Sequence, residues 1–171
     1  MDQYVKLAQN TIETYIRSGE IYEPSKDDLT EEMLILRAGA FVSIHKGEDL
    51  RGCIGTIAPT QDTLAEEIIL NAISASTRDP RFLPITEDEL KDLSINVDVL
   101  SPAEPISSEA QLDVKRYGVI VQKGLQRGLL LPDLEGVDTV SQQVSIAKMK
   151  AGIPADDNEV SLFRFEVIRH V

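Results

Sequence analysis

Residues 50–56 read Leu-Arg-Gly-Cys-Ile-Gly-Thr and hold the only cysteine of this 171-residue chain. A thiol two residues from a guanidinium, in a stretch patterned as a β-strand, could be a nucleophile or a redox group. That chemistry needs a thiolate near neutral pH, and so a cation or base beside Cys53. Arg51, two residues earlier on an alternating strand, would share its face and supply positive charge. The alternative is a small buried hydrophobe, the usual situation of a free cysteine. Gly52 and Gly55 bracket the thiol. Strands disfavour glycine, so the pair marks a close approach, either of a ligand to the backbone or of a bulky neighbour such as Phe82. Ile54 adds an apolar wall. His45 on the preceding strand is the only nearby imidazole. If His45 pairs with Leu50, Cys53 lies opposite Val42 and faces away from it. If His45 pairs with Arg51, the two share a face as diagonal neighbours roughly 7 Å apart.

Arg78, Asp79, Arg81 and Phe82 form a second constellation. Asp79 precedes a proline and suits a tight turn, its carboxylate accepting a nearby backbone N–H. Arg81 could clamp a carboxylate or phosphate of a ligand with two hydrogen bonds. Its other use is an internal pair with Asp79, Glu66 or Glu67, which the wealth of acids favours. Phe82 reads as core. A third segment, Arg127-Gly-Leu-Leu-Leu131-Pro132, is either a central strand buried on both faces or an apolar binding wall.

The two histidines, at 45 and 170, are far apart, and no His-Glu-x-x-His or Cys-x-x-Cys occurs. Metal catalysis is not expected of this chain. Gly-x-Gly-x-x-Gly, the P-loop and Gly-x-Ser-x-Gly are absent too, so no cofactor is expected.

The elements that must position these groups are legible from period and punctuation. Residues 3–18 form a helix striped by Tyr4, Leu7, Ala8, Ile12 and Tyr15, and Gly19 ends it. Residues 20–32 read as a polar surface loop. Ala40 to His45 and Leu50 to Ile57 read as a hairpin across Lys46-Gly-Glu-Asp49, stopped by Pro59. A second helix spans 60–76, with Thr63 and Glu66 as a capping box. A short helix opens at Thr86. Leu93, Ile95, Val97 and Val99 alternate with polar residues, as in a half-buried strand. Tyr117 to Gln122 and Arg127 to Leu131 form a second hairpin. A helix from Thr139 to about Ala151 and a strand from Ser161 complete the chain. Two hairpins without βαβ alternation predict an α+β fold, a largely antiparallel sheet covered by helices. No internal repeat stands out.

A net charge of −12 argues against a nucleic-acid partner or an anionic membrane surface. No apolar run approaches the ~18 residues of a bilayer span. One cysteine and no basic-then-apolar leader predict a cytoplasmic protein. The length suits a single domain with its own core.

The run LRGCIGT, preceded by GAFVSIHKG and followed by NAISASTRDPRFLPIT, resembles the AMMECR family. YGVIVQKGLQRGLLLPDLEGVDTV, KAGI and LFRFEV fit the same pattern, so the resemblance covers almost the whole chain. It implies an α+β domain with a larger and a smaller lobe and a cleft between them. It also implies a role as component A of a three-part prokaryotic system. The partners would be a Memo-like protein and a radical S-adenosylmethionine enzyme. Many members carry His-Gly where this chain has Tyr117-Gly118, so no histidine role transfers to that position.

The leading expectation is an accessory component that binds a small ligand. Arg51, Gly52, Cys53, Ile54 and Gly55 would floor the site, Asp79 and Arg81 flank it, and Arg127 and Leu131 line it. A thiol enzyme with Cys53 as nucleophile and His45, Glu66 or Glu67 as base is the first alternative. A protein-interaction module is the second.

Overall fold

Tyr4, Val5, Leu7, Ala8 and Ile12 lie buried along one side of helix α1 (Gln3–Ser18). Asp2 caps its N-terminus by accepting the N–H groups of Tyr4 and Val5, and Gly19 ends it in the left-handed conformation. The computed structural model describes residues 1–171. The chain divides into two compact units, Met1–Leu100 with Ile168–Val171, and Ser101–Val167.

In the first unit a short helix α2 (Glu31–Ile35) begins at the end of the segment read as surface loop with room for a turn of helix. Thr30 caps it by accepting Met33 N–H, and Met33 is fully buried. Strands β1 (Ala40–Lys46) and β2 (Asp49–Gly55) form the expected hairpin, with Gly47 turning at φ +62°. Strand β3 (Leu93–Leu100) pairs with the other side of β1, so β2 is an edge. Ala40, Val42 and Ile44 point to one side and are completely buried, joined there by Val97 and Val99. Helix α3 (Leu64–Thr77) packs on that side together with α1. It starts at Leu64 rather than residue 60, because Thr60 and Gln61 donate instead to the buried carboxylate of Glu67.

In the second unit strands β4 (Glu104–Ile106), β5 (Tyr117–Lys123), β6 (Gln126–Leu130) and β7 (Ser161–His170) are antiparallel, β7 lying between β4 and β5. The last residues of β7 belong to the first unit. Helix α4 (Val140–Ala151) is capped by Thr139 and Gln142 and covers β5 and β6 through Val144 and Ala147. Strand β6 is an edge rather than a central strand. Leu130 is buried, while Leu129 and Leu131 are half-buried.

The strand glycines set helix-to-sheet distance. A Cβ on Gly52 would stand 2.1 Å from the carbonyl oxygen of Ala75 in α3. One on Gly128 would stand 2.1 Å from that of Ala147 in α4. Both helices therefore ride directly on strand backbone. Gly55 differs, since a Cβ there would meet the ring of Phe41, its cross-strand partner. The bulky neighbour is thus Phe41, not Phe82, which is only half-buried and carries the Arg81 guanidinium 5.4 Å from its ring centre.

Gly52→Val and Gly128→Val are expected to lower stability by about 1–3 kcal/mol or more, because a helix backbone cannot step aside. At this size that is a fall in melting temperature of several degrees. Gly55→Ala is expected to cost less, because the Phe41 side chain can rotate. Thermal melting of the three variants checks the order, and a Gly52→Val protein that melts with the wild type would refute it.

Candidate functional site

The side of the first-unit sheet away from α1 and α3 carries the reactive residues. Phe41, Ser43 and His45 line it on β1, with Gly55, Cys53 and Leu50 opposite them on β2 and Asp98, Asn96 and Ser94 on β3. The register places Ser43 opposite Cys53 and His45 opposite Leu50. Neither expected register is complete. His45 pairs as in the first, but the register shifts between Ile44 and His45, which leaves Arg51 as an extra residue. This β-bulge puts Cys53 back on the His45 side of the strand. It also interrupts the alternation that would have placed Arg51 beside the thiol.

Both backbone groups of Cys53 point outward from the edge strand. Its N–H donates to Asp79 Oδ2 at 3.0 Å, and its carbonyl accepts Arg81 Nη2 at 3.3 Å. Ser43 and Cys53 are therefore a non-hydrogen-bonded pair, the closer of the two antiparallel spacings. The Ser43 hydroxyl lies 3.3 Å from Cys53 Sγ. His45 makes no hydrogen bond to the thiol, and neither does a carboxylate. Burial pushes the Cys53 thiol above its ordinary value, and the Ser43 hydroxyl and the Arg81 charge only partly offset this. At neutral pH Cys53 is a thiol.

Asp79 is 4% exposed and follows the C-terminus of α3. Its Oδ1 accepts Arg81 N–H and Nε, and its Oδ2 accepts Arg81 Nη2 at 2.8 Å. The Arg81 guanidinium thus takes the internal pair, with Asp79 rather than Glu66 or Glu67. It holds the Asp79 carboxyl well below the ordinary carboxylate range. The Arg81 side chain stays 56% exposed, so the charge still faces solvent.

Arg51 is spoken for. Nε and Nη2 grip the two oxygens of Glu89 at 2.8 and 3.1 Å. Nη1 donates to the carbonyl of Leu83 and Nη2 to that of Pro84. This clamp pins residues 83–89 to β2, and Glu89 in turn accepts the N–H and hydroxyl of Thr86. Ile54 is half-buried and packs on the core. Arg127 and Leu131 lie in the second unit, Arg127 exposed opposite Gln122 and Leu131 half-buried just past β6.

Two buried polar features were not legible in the sequence. Asp98, 2% exposed, is gripped by Arg169 at 2.8 and 3.2 Å. It stood in the strand pattern as an ordinary outward residue. Glu67, 1% exposed, accepts from the Thr56 and Thr60 hydroxyls and from two N–H groups, while Asn71 reaches Ala40 and Thr56. Glu67 closes the loop after β2, and its hydrogen bonds go to Thr56, Thr60 and Gln61 rather than to the thiol. The only sequence cue was an acid on the apolar side of a helix.

The clamp gives an acid signature. The Arg51 hydrogen bond lowers Glu89 from an ordinary 4.5 to about 2. A depressed carboxylate contributes stability that is present above its unfolded value and lost as pH falls toward its folded value. Asp79 acts the same way at lower pH. The melting temperature is therefore expected to hold down to about pH 5 and to fall steadily from there toward pH 2. Glu89→Gln is expected to melt a few degrees lower at neutral pH, on the order of 1–3 kcal/mol, with a shallower acid limb. Melting curves across pH for both proteins check this; parallel acid limbs would remove Glu89 as the source.

The sequence pattern of the AMMECR1 family matches residues 5–170. A Thermotoga maritima protein is 55% identical over 98% of this chain and 96% of its own length. A Clostridium acetobutylicum protein is 50% identical over 99% of this chain, which spans only 36% of that longer protein. A crystal structure of an uncharacterized protein from Pyrococcus horikoshii superposes with a TM-score of 0.89 at 34% identity, covering 97% of this chain and 88% of that one. No helix is long and apolar enough to cross a membrane. From residue 5 to residue 170, then, this chain belongs to the AMMECR1 family.

Proposed function

We propose that this chain is a non-catalytic partner in a multi-protein enzyme system, and that it presents the Cys53 side of its first sheet to a small ligand or a reactive intermediate. The Cys53 thiol carries this reading. It sits against a serine hydroxyl, without a hydrogen-bonded base, in surroundings that keep it protonated. A nucleophile needs the reverse arrangement. The half-buried Phe41, Ser43, Cys53 and Asn96 offer an apolar and weakly polar surface, and the exposed edge of the Asp79-bound Arg81 offers N–H donors for a polar end. Arg51 acts as a positioning residue, since its donors are used within the fold.

The partners in this reading are a Memo-like protein and a radical S-adenosylmethionine enzyme. They rest on the resemblance of the LRGCIGT and DPRF runs to the AMMECR family. The charge of −12 fits a soluble partner rather than a nucleic-acid surface.

Two measurements test the reading. Labelling of native Cys53 by a thiol reagent is expected to be slow at pH 7 and to rise only above the ordinary thiol range. Cys53→Ser keeps a group that can bond Ser43. It is expected to fold, to stay within about 1–3 kcal/mol of wild type, and to support the reconstituted three-component system. Arg81→Lys keeps the charge but loses the two-pronged grip on Asp79, and is expected to impair the system more. Rapid labelling below pH 7, with a folded but inactive Cys53→Ser protein and an unimpaired Arg81→Lys protein, would establish the thiol-enzyme alternative instead.

A further inference from the structure

Lys148 is the one lysine of α4 that is buried, with 5% of its surface exposed. Its ammonium donates to the carbonyl of Ala155 at 3.1 Å and forms no ion pair. Asp157, an acid electrostatically coupled to it, is taken by Lys123. An ammonium carries three N–H donors, and a buried charge without compensation is costly. Two of those donors lack a protein acceptor.

The same lysine lines a pocket of about 550 Å³ that lies wholly within the second unit. The size falls within the range of small-molecule sites. Val144 on α4, Ile106 on β4 and Leu162 on β7 supply apolar wall. Ser108 and Asn158 supply polar rim, and Glu109 stands at the exposed mouth. An apolar wall with a single buried cation suits an amphipathic molecule with one negative charge. Glu109 opposes a second charge and so disfavours a phosphate dianion.

We propose that this pocket is a binding site for a small amphipathic monocarboxylate, whose carboxylate accepts the free N–H groups of Lys148 while its carbon chain lies along Ile106 and Leu162. The site is independent of the Cys53 surface. The protein's overall negative charge works against anion capture, so the affinity is set by the local cation and the apolar wall.

The test uses the full chain and octanoate as probe, with octylamine and octanol as matched controls. Titration calorimetry is expected to show saturable octanoate binding, with octanol at least tenfold weaker and octylamine not bound, since a charge-assisted hydrogen bond contributes on that scale. Amide NMR on the wild type is expected to move Ser107, Ser108 and residues 160–163. Lys148→Met is expected to lose octanoate binding by tenfold or more while keeping octanol. Lys148→Arg is expected to bind octanoate within a few-fold of wild type. Octanoate that fails to bind, binds no better than octanol, or shifts only resonances around Cys53 overturns the proposal. Because these three outcomes are read on wild-type protein, they decide the matter even if Lys148→Met does not fold.

Discussion

The first unit depends on how the open edge of β2 is closed. An edge strand offers unpaired N–H and carbonyl groups, and proteins must cover them or invite a foreign strand. Here one aspartate and one arginine do so. Asp79 accepts the Cys53 N–H, Arg81 donates to the Cys53 carbonyl, and the two side chains bond each other. The pair imitates one residue of a further strand. Because Asp79 follows the C-cap residue of α3, Arg78, the same bonds fix the helix terminus against the sheet. They also turn both backbone groups of Cys53 outward, which brings its side chain to the close spacing opposite Ser43. The thiol environment is thus a consequence of edge closure.

The β-bulge at Arg51 is explained by comparison of the two hairpins. Each runs through Lys-Gly into a turn with positive φ at that glycine, and each then has Arg-Gly, with the glycine under a helix carbonyl. Ile44 pairs with Gly52 as Val121 pairs with Gly128. The first hairpin holds one residue more between its two glycines, since Gly47 to Gly52 is a longer step than Gly124 to Gly128. That residue has to be accommodated without moving the glycine from under α3, and the strand bulges at Arg51. In the second hairpin Arg127 keeps its place opposite Gln122 and stays exposed. The insertion is what lets Arg51 reach Glu89 and the carbonyls of Leu83 and Pro84.

This internal likeness was present in the sequence as Lys46-Gly47 before Arg51-Gly52 and Lys123-Gly124 before Arg127-Gly128, but the unequal spacing hid it. The helix α1, both hairpins, β3 and the final strand were legible because period and terminal glycines act locally. The start of α3 was not. Thr60 and Gln61 stand shortly before a helical stretch, yet a buried carboxylate seven and six residues later takes their N–H groups. Phe82 reads as core by residue type, but its loop is held at the surface by Arg51 and Arg81. The three leucines of 129–131 read as a central strand or an apolar wall, and nothing local shows that no strand pairs with the outer side of β6. Of the candidate site, the thiol, the glycines and Asp79 were located from sequence. The uses of both arginines were decided by acids distant along the chain.

Those uses constrain the chemistry that remains. A guanidinium already fixed by a carboxylate contributes geometry more than reactivity, and both arginines near the thiol are fixed in this way. The Asp79–Arg81 pair beside Cys53 is close to neutral as a unit, so it stabilises a thiolate far less than a lone arginine would. Removing Asp79 would free that charge, but it would also strip the edge strand of its cover. Lowering the thiol's pKa and closing the sheet edge therefore place opposite demands on the same arginine. In this structure edge closure wins: the arginine is bound to Asp79 and to the Cys53 carbonyl, and the thiol stays above its ordinary value.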